Sequence, residues 1–252
     1  QVHAIAALLN IASAAAKYGP MIHAVTGTAA IVPLLTQSCE ESVEHASALL
    51  WNMSSNSKVS VAIDSAKGTP ALVSLLTKEL PAVRANASGA LANMARNNRC
   101  RLSIVSAEGL PPLLRLLEDE ADTTASTNAA AAVLALSTYP QGRQAIKDTG
   151  GIEVLVSFLS SPQSSEALGS AAGALQNLSN GGDEFRESVL DAGATKALIA
   201  VMAGPHALAQ ENATGALRAL CADARAMAEV VEHGGVPPLL GIISGGTGGT
   251  PA

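Results

Sequence analysis

The chain has 252 residues, 48 % of them hydrophobic, and a formal charge of −6 from 15 basic and 21 acidic side chains. That balance excludes the broad basic footprint that duplex nucleic acid requires. The longest apolar runs, such as 194–203 with its Thr195 and Lys196, fall short of the roughly 20 residues of a membrane-spanning helix.

The predicted elements begin with an apolar helix over 1–13, which Gln1 opens directly, as in a trimmed or incomplete chain. Its residues 4–12 are the first copy of a motif that recurs at 46–54, 87–95, 129–137, 171–179 and 213–221, the clearest being 171–179, Ala-Ala-Gly-Ala-Leu-Gln-Asn-Leu-Ser. Within it, Ala171, Ala174, Leu175 and Leu178 follow the i, i+3, i+4, i+7 spacing of one buried helical stripe. Between the copies lie two shorter helices. The first ends at a glycine, and Gly27, Gly68, Gly109, Gly151, Gly193 and Gly235 are separated by 41, 41, 42, 42 and 42 residues. A left-handed helix end is expected at each, since glycine enters that conformation without steric cost. The second is a leucine-rich segment with Pro70, Pro111, Pro112, Pro237 and Pro238 near its start, where a missing N–H is harmless.

A period of this length is a repeat architecture, in which each unit buries its apolar face only by stacking on its neighbours. The expected layout is a partial repeat over 1–13, full repeats over about 14–55, 56–97, 98–139, 140–181 and 182–223, and a partial repeat over 224–243. A flexible glycine-rich tail follows over 244–252. No polar capping helix is visible at either end, which suggests a fragment or ends covered by a partner or a second copy. Five aromatic residues (Tyr18, Trp51, Tyr139, Phe158, Phe185) leave Ala, Leu, Val and Ile to fill the interior, as suits small helices in close layers.

Chemistry-bearing patterns are few. Cys39, Cys100 and Cys221 lie far apart with no C-x-x-C pair, which reads as free thiols in a reducing, cytoplasmic compartment. His3, His23, His45, His206 and His233 form no metal-ligand spacing, and no nucleophile motif or phosphate-cradling loop occurs. No enzyme, metal or cofactor is expected. Arg96, Arg99 and Arg101 are the one basic concentration, read as cations where one helix ends and the next begins.

A three-helix unit of 41–42 residues, with Gly before a Pro-x-Leu-x-x-Leu-Leu segment and a third helix reading Gly-Ala-Leu-x-Asn-Leu-Ser, resembles the armadillo repeat. The likeness is to β-catenin-like or yeast vacuolar-type arrays and covers 1–243. It implies an all-α, right-handed superhelical α-solenoid whose third helices line a concave groove, where an Asn on each helix hydrogen-bonds the backbone of an extended peptide. The matching positions are Asn10, Asn52, Asn93 and Asn177, while Ala135 and Ala219 interrupt the ladder. Seven residues earlier runs a second polar column, His3, His45, Asn86, Asn128, Ser170 and Asn212, and between the two lie Ala6, Ala48, Gly89, Ala131, Gly173 and Gly215. Import adaptors of the importin-α type carry Trp at that middle position, and every such Trp is absent here.

These residues are expected to form a non-enzymatic scaffold that holds an extended or helical segment of another protein in its groove. Four Asn hydrogen bonds at about 1 kcal/mol each give only millimolar affinity, so larger side chains must add to them, with Trp51, Arg96 and Arg218 the nearest. Solvation of an exposed seam would produce the same columns. Other readings are a passive subunit of a cytoskeletal or ciliary assembly and a membrane adaptor tethered through a lipidated N-terminus.

Overall fold

The computed structural model describes residues 1–15, 17–119, 121–161 and 164–244. These contain eighteen α-helices and one 3-10 turn, and no strand among the described residues. The glycine-rich tail expected over 244–252 lies, from 245 onward, outside the described residues. Compact packing divides the chain into two units, 1–136 and 137–252.

The first unit opens with α1 (Val2–Ala14), which has the role of a third helix. It is followed by α2 (Tyr18–Thr26), α3 (Thr28–Ile31), a 3-10 turn (Val32–Thr36) and α4 (Glu40–Ser54). Next come α5 (Ser57–Ser65), α6 (Gly68–Leu75) and α7 (Pro81–Ala95), then α8 (Asn98–Ser106), α9 (Leu110–Glu118) and α10 (Thr123–Ser137), whose last residue begins the second unit. The first triplet alone has a broken second helix. Pro33 falls well inside it rather than in its first turn, where it removes an N–H and its ring crowds the preceding carbonyl, so the helix tightens to a 3-10 turn.

The second unit holds α11 (Pro140–Asp148), α12 (Gly151–Ser160), α13 (Ser165–Ser179), α14 (Asp183–Asp191), α15 (Ala194–Met202), α16 (Ala207–Leu220), α17 (Ala224–Glu232) and α18 (Val236–Ile243). The long third helices lie at the centre of each unit. Leu49, Leu50 and Met53 of α4, Leu91 and Met94 of α7, and Leu175 and Leu178 of α13 are fully buried. Alanine and glycine dominate the rest of these helices because a third helix is covered on three sides and only small side chains fit. At the margins burial fails: α18 buries no residue, and its Leu240 and Ile243 are 60 % and 81 % exposed.

The glycine column does two different jobs. Gly193 does take the left-handed conformation, with φ 73° and ψ 27°, and Gly27 has a positive φ of 66° with an extended ψ of 149°. In the other repeats the left-handed residue is the one before, Lys67, Glu108, Gly150 and Gly234. There the column glycine opens the second helix, and what it needs is space. A Cβ on Gly68 would lie 2.5 Å from Ile63 Cγ2 and 2.8 Å from the Ile63 carbonyl oxygen, and one on Gly235 would lie 2.9 Å from Val230 Cγ1. The column therefore lets the second helix close onto the first, and the turn itself tolerates Lys or Glu.

Side-chain caps fix the starts of several helices. Asn56 accepts from the Lys58 and Val59 N–H groups at α5, Asn97 from Arg99 at α8, Ser164 from Ala167 at α13 and Asp223 from Arg225 at α17. Asp122, 8 % exposed, accepts from the Ala125 N–H at the start of α10 and pairs with Arg84 of α7 at 3.0 Å. It thus joins two repeats as well as capping a helix.

Candidate functional site

The ladder residues sit on the third helices, and Asn52, Asn93 and Asn177 direct their amides back toward the preceding repeat. In the first unit Asn52 donates from Nδ2 to Ser13 Oγ at 2.9 Å, and Asn93 donates to Ser54 Oγ at 3.1 Å and to the Trp51 carbonyl oxygen at 3.4 Å. In the second unit Asn177 donates to Ser137 Oγ at 2.9 Å. The Oδ1 atoms of all three accept no hydrogen bond among the described residues. A carbonyl oxygen held in place by its own amide is oriented in advance, so a backbone N–H of another chain would meet an acceptor that need not be ordered on binding. Asn10 is exposed on α1, Asn52 is exposed, and Asn93 and Asn177 are half-buried.

From sequence, Ser54 and Ser137 read as small packing residues and not as the acceptors of these amides. Ser13, Ser54 and Ser137 stand 39 or 40 residues before Asn52, Asn93 and Asn177, and Ala95 stands before the missing rung Ala135. Ser13 lies one residue past the equivalent position, where Ala12 stands, so covariation along the chain could have found Ser54 and Ser137 but not Ser13. Ser179 breaks the pattern because Ala219, not Asn, occupies the rung that would follow.

The second column is tied into the stack. Asn86 donates to the Glu44 carbonyl at 3.3 Å and to Ser47 Oγ at 3.1 Å, Asn128 to the Ala85 carbonyl at 3.0 Å, and Asn212 to the Gly169 carbonyl at 2.8 Å. Asn86 is only 9 % exposed. His45 is half-buried, and its Nδ1 is buried with no partner among the described residues.

The small residues between the columns do not leave a uniformly open channel. A Cβ on Gly89 would lie 2.3 Å from Trp51 Cε2 and 2.4 Å from Trp51 Nε1, so the indole lies against that glycine from the preceding helix. Gln176 does the same over Gly215, at 2.2 Å from Nε2. Trp51 therefore packs between repeats and stays half-buried, covering floor that an importin-type Trp would rise from.

The basic cluster separates on folding. Arg99 pairs with Asp64 at 3.5 Å and donates to Ser65 Oγ, and Arg101 donates to the Ala135 carbonyl at 3.3 Å. Arg96 is exposed and has no ion-pair partner among the described residues. It lines a cavity of about 260 Å³ together with Asn93, Asn97, Ser54, Ser55 and Ser57. Arg218 is exposed in the last turn of α16.

All three cysteines are free. A hydrogen bond with the Ser42 side chain, and a second with its backbone, lower the Cys39 thiol below its usual range, whereas burial and then Asp64 push Cys100 up to about 11. Among the described residues no group of three His, Cys, Asp or Glu could hold a metal ion, and no single helix is long and apolar enough to cross a membrane.

Residues 140–180 match the model of the armadillo/β-catenin-like repeat. A designed armadillo repeat protein, YIII(Dq)4CqI, superposes with a TM-score of 0.81 at 29 % identity over 87 % of this chain and 92 % of that one. The chain belongs to the armadillo-repeat family. Another designed member, solved in complex with the peptide (KR)4, gives a TM-score of 0.79 at 27 % identity over 86 % of this chain and 92 % of its own. An engineered protein gives 0.87 at 32 % identity over 95 % of this chain and 59 % of its own. No curated protein matches the chain. Membership confirms the all-α solenoid class, and it makes the chain a non-enzymatic scaffold whose fold supports protein binding.

Proposed function

We propose that this armadillo protein holds an extended segment of another protein along the third-helix face of its first unit. The observation that carries the reading is the run Asn10, Asn52 and Asn93, in which Asn52 and Asn93 are anchored through Nδ2 and keep Oδ1 open. The likeness to proteins designed for modular peptide recognition supports it. The partner expected is a peptide backbone in extended conformation. With no Trp at the middle positions, the lysine sandwich of import adaptors has no counterpart here. The reducing, cytoplasmic setting read from the cysteines and a role as an adaptor belong to the same proposal.

A displayed library of random dodecapeptides tests it. Peptides enriched on the chain should lose roughly 30-fold in affinity for Asn52→Ala plus Asn93→Ala, two hydrogen bonds at about 1 kcal/mol each. Affinity that is unchanged in a variant still helical by circular dichroism would exclude the ladder as the binding surface.

A second reading rests on the exposed apolar side chains of the last two helices, Met227, Val231, Leu240 and Ile243. They suit a subunit docked end-on in an assembly, and protection of α17 and α18 from hydrogen exchange in that assembly would separate it from groove binding.

A further inference from the structure

The cavity beside Asn93 differs in chemistry from the rest of the ladder. Its lining has one cation, Arg96, and contains serine and asparagine side chains but no carboxylate. Arg96 has no ion-pair partner among the described residues, unlike its neighbour Arg99, which Asp64 holds. The surrounding polar groups are largely committed within the chain. The Ser54 hydroxyl donates to the Trp51 carbonyl, Ser55 donates to the Asn52 carbonyl, and Asn97 donates to Ser57 Oγ while accepting from the Arg99 N–H. What remains on offer, beside the open Asn93 Oδ1 acceptor, are donors: the five guanidinium N–H groups of Arg96 and the hydroxyl proton of Ser57, which has no acceptor among the described residues. The position is also singular in the first unit, because Ser13 and Ser55 occupy the corresponding places, three residues after Asn10 and Asn52.

We infer that this cavity binds an oxyanion side chain, the carboxylate of Asp or Glu or the phosphate of a phosphoserine, carried by the segment that lies on the Asn52–Asn93 ladder. The inference rests on the groove reading above and adds its specificity. Arg96 presents a planar fork to two oxygens of the anion, Ser57 donates to a third position, and Asn93 Oδ1 takes the backbone N–H of the same or the next residue. The guanidinium stands at the water-exposed edge, so the contribution is modest and sensitive to salt.

The same dodecapeptide library provides the test, screened against the native chain and against Arg96→Glu. The exposed side chain carries no contact that the fold requires, and an unchanged melting curve verifies that Arg96→Glu is folded. Peptides from the native chain should carry Asp or Glu at one fixed position. Converting that residue to neutral Gln or Asn should weaken them roughly 2- to 5-fold, the range of an exposed ion pair. Replacing it with phosphoserine should strengthen them if phosphate is the better fit, and weaken them if the site takes carboxylates alone; either result identifies the source of the anion. Arg96→Glu should select Lys or Arg at that position. Peptides that depend on Asn52 and Asn93 but show no acid preference, with Arg96→Glu selecting the same set, would overturn the inference and leave the groove intact. Peptides that ignore both asparagines would overturn both.

Discussion

Substitution of Gly89 by Ala bears on whether the face between the two asparagine columns is floor or packing. In the interior of α7 a Gly to Ala change should by itself stabilise by about 0.5–1 kcal/mol. Here the new methyl would sit 2.3 Å from Trp51 Cε2 and 2.4 Å from Nε1. Carbon atoms in contact rest about 3.5–4.0 Å apart, so the rigid indole must retreat by more than an ångström. Overpacking of this kind costs about 1–3 kcal/mol, which offsets or exceeds the helix gain, and a net loss of about 0–2.5 kcal/mol is expected. Gly215 is the control. Its Cβ would meet Gln176 Nε2 at 2.2 Å, but that is the far end of a flexible side chain that can swing into solvent, so Gly215→Ala should keep most of its helix gain. Opposite signs at equivalent positions are thus predicted from rigidity alone. Urea unfolding followed at 222 nm gives the stabilities, and because Trp51 is the sole tryptophan, its emission reports the displaced ring as a red shift in Gly89→Ala. A Gly89→Ala protein more stable than the parent, with unchanged emission, would show that the indole does not lie over Gly89.

Four further outcomes follow from other parts of the chain. Ser54→Ala removes the acceptor that holds the Asn93 amide at 3.1 Å, and should cost about 1 kcal/mol in urea unfolding, with a larger effect than Ser55→Ala, whose hydroxyl only caps a local carbonyl. Leu175→Ala, at a fully buried site, should cost about 2–5 kcal/mol and expose the flanking helices to hydrogen exchange first. Iodoacetamide at neutral pH should label Cys39 well before Cys221 or Cys100, by mass spectrometry, because its thiol is lowered while burial raises the other two. For Cys100 the folded thiol is raised from 9.0 to about 11, so its stabilising effect is intact below pH 9.0 and lost as pH rises through that window; Cys100→Ala should flatten that alkaline slope.

Much of the architecture was legible because a repeat states its pattern several times over. The leucine and alanine stripe of each third helix, the prolines that open α6, α9 and α18, and the division into three helices all follow from spacing that one physical requirement, close stacking, imposes on every copy. The glycine column was misjudged in its mechanism. A glycine beside a turn suggests a left-handed residue, but Gly68, Gly109 and Gly235 are needed for the closeness of the preceding helix, a constraint that arises in three dimensions. Pro33 shows the same limit, since its position inside rather than at the start of a helix becomes apparent only when the helix bounds are known.

The candidate site was legible as columns and not as contacts. Periodicity puts Asn52 and Asn93 on one face, but it does not reveal that Ser13 and Ser54 take their amides or that Asn86 and Asn128 reach backbone carbonyls of the helix before. Those partners lie about forty residues away, and each bond depends on how two repeats are offset. Trp51 is the sharpest case. Its neighbour in sequence is the ladder residue Asn52, yet its indole belongs to the next repeat, against Gly89.

The side-chain amide resonances of Asn52 and Asn93 test the central claim most directly. On titration of the isotope-labelled chain with a peptide enriched from the library, both amide pairs should shift and saturate with the same affinity as the peptide itself, while Asn212, which donates to the Gly169 carbonyl in the second unit, moves less. Saturable binding that leaves Asn52 and Asn93 unshifted and instead perturbs α17 and α18 would contradict the account.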